Sequence, residues 1–359
     1  MTRKFNFGAG PATLPTSVLE EVREELLDWK GRGFSIMEIS HRSDEFQEIA
    51  QEAEKDFRDL LNIPDSYSVI FTHGGATMHS AMIPLNFSSS EGEASYVMSG
   101  YWARRSMEEA KKYIKVHIAA SSEERNFSFF PPQSSWEISE NSEYIHITPN
   151  ETIGGICLRE VKPERKKIIA DYSSSILSEP IDINSFGMVY GGVQKNIGPA
   201  GLGFAIIREE MFREAQKITP TILNYSSLAE SFSMYNTPPT FAWYVSGKVF
   251  KWLKGKGGVK AIAQINSRKA NKLYNFIDRS EFYTNNIQEA SRSITNVPFV
   301  LKKEDLNTKF LSKSFNQGLL FLKGHRSVGG MRASIYNAMP EEGVDALIEF
   351  MALFEKENL

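Results

Sequence analysis

KIIADYSSSILSEPIDINSFGMVYGGVQKNIGPAGLGFAII, residues 167–207, holds three short apolar runs, KIIA, MVY and GFAII, separated by polar stretches rich in turn residues. Runs of this length bounded by Gly, Pro, Ser and Asp read as buried strands rather than helices. KIIA leads into Asp171, and MVY opens onto Gly191-Gly192-Val193-Gln194-Lys195. A carboxylate and a solitary lysine therefore leave the ends of two strands.

Four more apolar runs precede these: Ser68 to Thr72 (SVIFT), Ser95 to Met98, Tyr113 to Ile118 and Tyr144 to Thr148. Helical or polar stretches lie between them. Strands alternating with helices imply an α/β fold with a mainly parallel seven-stranded sheet covered on both faces. Upstream, Ser17 to Trp29 and Asp44 to Leu61 carry apolar residues at helical spacing. From Phe241 the texture changes. FAWYVSGKVFKWLK and Val259 to Ile277 read as long helices, followed by short strands near Val297 to Leu301 and Gly318 to Leu322 and a closing helix from Glu342 to Phe354. Glycines between Gly255 and Gly258 interrupt the helical pattern. The expected division is a large domain, residues 1–256, and a smaller α+β domain, residues 257–359, with segment 1–15 a candidate to pack on the smaller one.

A length of 359 residues favours two domains over one core, and 41% hydrophobic residues suffice to fill them. The formal charge of −3 offers no bulk attraction to nucleic acid or to an acidic membrane. MTRKFNFGAGPATLP has no apolar core of signal-peptide length, and no later stretch reaches membrane-spanning length. A cytoplasmic enzyme with no nucleic-acid or membrane partner is expected. Cys157 is the sole cysteine, which excludes an intramolecular disulfide; in ICLRE it reads as a small buried residue.

In open α/β sheets, ligands collect beyond the carboxyl ends of the strands. SVIFT is followed by His73-Gly74-Gly75-Ala76-Thr77 and a helical stretch. Glycines admit a phosphate to backbone N–H groups, and a helix N-terminus adds its dipole; a plain turn reads the same way. Asp171 suits pairing with a cationic ring nitrogen, or a helix cap. Lys195 stands amid glycines and apolar residues, where partial burial lowers an amine's pKa and makes it nucleophilic. Together these three signals fit a pyridine cofactor bearing a phosphate and an aldehyde. Trp102, in SGYWARR, suits stacking on such a ring or filling the core, and Thr152 suits bonding its polar edge or capping a turn. His41-Arg42 and His325-Arg326, with Arg332 close behind, gather cations suited to carboxylate or phosphate. No metal is called for.

FNFGAGPATLP, SIMEISHR, PNETIGG, DYSSSILS, GGVQKNIGPAG, NTPPTFAWY and KGHRSVGGMRASIYNAMP resemble the phosphoserine aminotransferases, of the aspartate-aminotransferase fold type, from near residue 5 to near residue 350. The resemblance implies pyridoxal 5'-phosphate as cofactor, Lys195 as the Schiff-base lysine, and Asp171 on the pyridine nitrogen. It also implies Trp102 on the ring, Thr152 and Gln194 in contact with the cofactor, and Gly75, Ala76 and Thr77 on its phosphate. Asn236 and Thr237 would reach across a homodimer whose active sites are shared. Arg332 would take the substrate α-carboxylate, and His41, Arg42, His325 and Arg326 the distal anion. The implied substrates are L-glutamate and 2-oxoglutarate with a small phosphorylated keto or amino acid. Some members carry Arg in the glycine loop where this chain reads Ala76-Thr77-Met78-His79. His79 is expected to pack on its helix rather than replace that arginine.

A cysteine desulfurase would need a nucleophilic cysteine on a mobile loop, and Cys157 lies in a strand-like run. Alanine- or serine-glyoxylate transaminases need no cations for a distal anion. A dinucleotide-dependent dehydrogenase would want GxGxxG after an early strand, whereas Gly201-Leu202-Gly203 precedes one. A protein that binds the cofactor without turnover is the remaining alternative.

Overall fold

The computed structural model describes residues 3–359; Met1 and Thr2, where the expected large domain begins, lie outside the described residues. Seven strands form the main sheet: β1 (Tyr67–His73), β2 (Glu93–Met98), β3 (Lys115–Ser121), β4 (Ser142–Ile147), β5 (Ile168–Asp171), β6 (Met188–Gly192) and β7 (Leu202–Arg208). Their spatial order is β1-β7-β6-β5-β4-β2-β3. All neighbours run parallel except β7, which is antiparallel to both β1 and β6. Every apolar run expected to be a strand is one, with shifted ends. The third begins at Lys115 rather than Tyr113, because Tyr113 and Ile114 still close the turn after the preceding helix.

Side-chain alternation explains the layers. Val69, Phe71, Ile145, Ile147, Ile168, Ala170, Val189, Phe204 and Ile206 face one core. Their neighbours Ile70, Tyr144, Ile169, Met188, Tyr190, Ala205 and Ile207 face another on the opposite side. Burial on both faces is why the central strands β5, β6 and β7 are almost continuously apolar, while the edge strand β3 is largely exposed. Helices Asp44–Leu61 and Thr240–Gly255 cover the first face, where Phe57 stacks on Phe250 at 4.9 Å between ring centroids. Helices Ala76–Phe87 and Tyr101–Ala110 cover the second. The expected helix Ser17 to Trp29 stops at Glu25, and Trp29 enters a separate short turn.

A third core joins the far half of helix Gly258–Arg279 (Ala270, Leu273, Ile277) to a three-stranded antiparallel sheet and the closing helix Glu341–Asn358. That sheet comprises Tyr283–Thr284, Asn296–Leu301 and Met331–Ser334. The near half of the same long helix (Val259, Ile262) packs on the first core instead. Near the N-terminus, Phe5–Asn6 pairs in parallel with Leu319–Leu320, and Phe7 is buried in the third core. Lys269 is fully buried and donates to the carbonyls of Ile335, Tyr336 and Met339 at 2.8–3.0 Å. It thereby fixes the turn whose Asn337 N–H donates to Asn196 Oδ1, next to Lys195. No described helix is long and apolar enough to cross a membrane.

Candidate active site at the strand ends

Because β1, β2, β4, β5 and β6 share one direction, His73, Met98, Ile147, Asp171 and Gly192 end on one edge of the sheet. The loops that follow carry Gly75, Trp102, Thr152 and Lys195 to that edge. Lys195 is half-buried, and its Nζ donates to Thr152 Oγ1 at 2.6 Å. The same Nζ lies 5.0 Å from the Trp102 ring centroid. Burial pulls the amine's pKa down, Asp171 and Glu151 oppose that, and Arg332 adds to it. The amine does not point freely into solvent.

Asp171 is held from one side. Its Oδ1 accepts from Ser173 N at 2.9 Å and Ser173 Oγ at 2.5 Å, while Gly192 N donates to Ser173 Oγ at 3.0 Å. This leaves the second carboxylate oxygen for a cationic partner. Gly75 opens the turn before helix Ala76–Phe87 with φ +73°, which a side chain would strain. The N–H groups of Ala76 and Thr77 belong to the first helical turn, whose donors have no partner within the helix. A Cβ at Gly192 would sit 2.4 Å from Gln194 Oε1 and 3.2 Å from Ala76 N, so Gln194 borders this loop in space that glycine keeps open.

Pyridoxal 5'-phosphate fits this arrangement: a helix N-terminus for phosphate, a carboxylate oxygen for the ring nitrogen, a desolvated amine for the aldehyde, and an aromatic wall. Among the described residues, Trp102 Nε1 and Arg332 Nε are buried without hydrogen-bond partners, as expected where a polar ligand belongs. Burial lowers the Arg332 pKa. Tyr101 links the cationic loop to the site, lying 5.3 Å from Trp102 and 5.1 Å from His325 between ring centroids. His325 Nδ1 shares a 2.7 Å bond with Ser327 Oγ, and burial with the charges of Arg332 and Arg326 lowers its pKa. Arg326 is exposed.

Not all the expected residues converge. His41 and Arg42 precede helix Asp44–Leu61; Arg42 is exposed, and the His41 carbonyl accepts from Gln47 Nε2. Among the described residues, no hydrogen bond or ring contact joins either to Lys195. Asn236 and Thr237 are exposed, although the Thr237 carbonyl lies 2.8 Å from His73 Nε2. His79 is fully buried between Thr72 Oγ1 at 3.1 Å and Tyr225 Oη at 2.6 Å, and burial drops its pKa to about 3. It is a neutral packing residue, as expected. Cys157 is buried with its thiol pushed up to about 11, and its Sγ lies 3.1 Å from the Arg292 carbonyl, so it is no nucleophile.

Two contributors escaped the sequence reading. Ser173 was visible as the Asp-x-Ser turn in DYSSS. Glu151 left a weaker signal: helix Tyr101–Ala110 opens on Gly100, which has no side chain to cap it.

A mainly parallel sheet with a desolvated amine, a carboxylate and a helix N-terminus at neighbouring strand ends is the arrangement a pyridoxal-phosphate enzyme needs. The chain belongs to the class-V aminotransferases, whose family model matches residues 4–347. Among its relatives within that class are phosphoserine aminotransferases. The curated one from Hahella chejuensis is 54% identical over 99% of both chains, and that from Azotobacter vinelandii is 52% identical over 99% of both. The solved phosphoserine aminotransferase from Bacillus circulans subsp. alkalophilus is 43% identical over 99% of both chains, with a TM-score of 0.97.

Proposed function

We propose that this chain is a pyridoxal 5'-phosphate-dependent phosphoserine aminotransferase. It moves an amino group between L-glutamate and 3-phosphohydroxypyruvate, giving O-phospho-L-serine and 2-oxoglutarate in serine biosynthesis. The related phosphorylated hydroxythreonine step of vitamin B6 synthesis suits the same pocket. The observation that carries this reading is the desolvated Lys195 amine, bonded to Thr152 beside Trp102 and under the field of Asp171. Identity above 50% to phosphoserine aminotransferases over the full chain supports it.

When bound, pyridoxal phosphate supplies an aldehyde for amines and a protonated ring that draws electrons from the substrate Cα. The chain does the rest. Lys195 Nζ would take the Cα proton as general base and pass it on rather than restore it to Cα, and burial lowers its pKa in the direction that favours the neutral amine. The free oxygen of Asp171 would hold the proton on the ring nitrogen, the carboxylate being oriented by Ser173. Trp102 fixes the ring plane. Gly75, Ala76 and Thr77 would hold the phosphate beside Gln194, and Thr152 would bond the cofactor edge. Arg332 takes the substrate α-carboxylate, while His41, Arg42, His325 and Arg326 surround the distal phosphate or carboxylate. Both substrates carry several negative charges, which accounts for local cations in a chain of net charge −3. The working form is a cytoplasmic homodimer in which exposed Asn236 and Thr237 reach the partner's site. The division into residues 1–256 and 257–359 belongs to the same proposal.

Turnover of O-phospho-L-serine against L-serine, each with 2-oxoglutarate, tests the assignment. A strong preference for the phosphorylated substrate is expected; equal rates refute the phosphate-specific reading.

A further inference from the structure

Asn150–Glu151 and Ile156–Cys157 pair antiparallel as a short hairpin whose connection starts at Thr152, and it also carries Glu151, to which the proposed chemistry gives no role. Glu151 is fully buried. Its Oε2 accepts from Trp102 N at 3.1 Å and its Oε1 from Ala103 N at 2.8 Å. These are first-turn N–H groups of helix Tyr101–Ala110, for which Gly100 provides no side-chain cap. A carboxylate from 48 residues along the chain thus caps the helix in place of a local Ser or Asp.

Space for this contact is built into the chain. A Cβ at Gly100 would lie 2.6 Å from Glu151 Cδ, so only glycine lets the carboxylate reach the two donors. The next residue, Thr152, accepts from Lys195 Nζ at 2.6 Å. Adjacent positions of one hairpin therefore hold the start of the Trp102 helix and the amine 5.0 Å from the Trp102 ring. We propose that Glu151 is a positioning residue for transamination, setting the Trp102 ring against Lys195 by clamping the N–H groups of Trp102 and Ala103. This rests on the reading of Lys195 and Trp102 given above.

An ionised carboxylate suits the task because each oxygen meets one donor and its charge sits at the positive end of the helix dipole. An amide offers only one acceptor, and its NH2 would face an N–H. The charged groups facing Glu151 are Asp171 at the end of β5 and Lys195 after β6; Lys195 in turn faces Arg332. Burial raises the Glu151 pKa to about 7, Asp171 adds to this, and the two N–H groups and Lys195 oppose it.

The test is a double-mutant cycle on Glu151→Gln and Trp102→Ala. Pyridoxal-phosphate affinity is read by quenching of tryptophan fluorescence or cofactor absorbance, ring orientation by induced circular dichroism, and folding by thermal melting. In the Trp102-containing protein, Glu151→Gln is expected to weaken cofactor binding about tenfold and to alter the induced dichroism. In the Trp102→Ala background it is expected to change affinity less than twofold, because Glu151 acts through Trp102. Equal losses in both backgrounds, or an unchanged induced dichroism, overturn the inference. Should Glu151→Gln fail to fold, Gly100→Ala, which displaces the carboxylate without removing it, is measured in the same cycle with the same expectations. Wild-type protein that takes up no pyridoxal phosphate overturns the proposed function itself. Normal wild-type uptake with wild-type behaviour in the variants overturns this inference alone.

Discussion

Replacing Thr152 by Val keeps the shape of the side chain and removes the acceptor of the 2.6 Å bond from Lys195 Nζ. A hydrogen bond to a charged, partly buried group contributes about 1.5–3 kcal/mol. It stabilises the ammonium, so its loss lowers the amine's pKa further, in the direction burial already drives it. At about 1.4 kcal/mol per unit, the expected fall is about 1–2 units. The assay is the pH dependence of Lys195 modification by an amine-directed reagent in cofactor-free protein, resolved by peptide mass mapping. In Thr152→Val the midpoint should move to lower pH by that amount, and Thr152→Ser should restore most of it. An unmoved midpoint, or one that rises, would refute the claim that Thr152 holds the amine.

The same geometry constrains other positions. Asp171→Asn should weaken pyridoxal-phosphate binding by about 10- to 100-fold, since a charge-assisted bond to the ring nitrogen is lost; titration of cofactor fluorescence measures it. Arg332→Lys should raise KM for both amino-acid substrates by about tenfold or more with a smaller change in kcat, because a lysine cannot grip a carboxylate bidentately. Steady-state kinetics would separate the two effects. Burial shifts Glu151 from the usual 4.5 to about 7, so the folded cofactor-free protein binds more protons than the unfolded chain between those values. Its contribution to stability is therefore present at low pH and is lost as pH rises through that window, by at most about 3 kcal/mol. Denaturant unfolding should show this slope in wild type and a shallower one in Glu151→Gln.

The central strands of the main sheet were legible because burial on both faces leaves almost no polar residue within them, as in Ile168-Ile169-Ala170, whereas β3, at the sheet edge and largely exposed, was marked only by its short apolar run. Strand direction leaves no such mark, and the antiparallel course of β7 emerges only from its pairing with β1 and β6. Helix Asn307–Asn316 was missed since only Phe310 and Ser314 of NTKFLSKSFN are buried. Strand Met331–Ser334 hid behind its arginine, which sits between buried Met331 and Ala333. At the site, Asp171 and Lys195 stood out because a charge at the end of an apolar run is conspicuous. Glu151 did not: its partners are backbone N–H groups far along the chain, which no residue type announces.

The absorbance of the pyridoxal-phosphate-loaded protein tests the role of Lys195 most directly. In wild type, O-phospho-L-serine should abolish the visible band and 2-oxoglutarate should restore it, whereas Lys195→Ala should bind the cofactor with a displaced band and no such cycle. A Lys195→Ala protein that keeps the wild-type band and cycles at the wild-type rate would contradict the account.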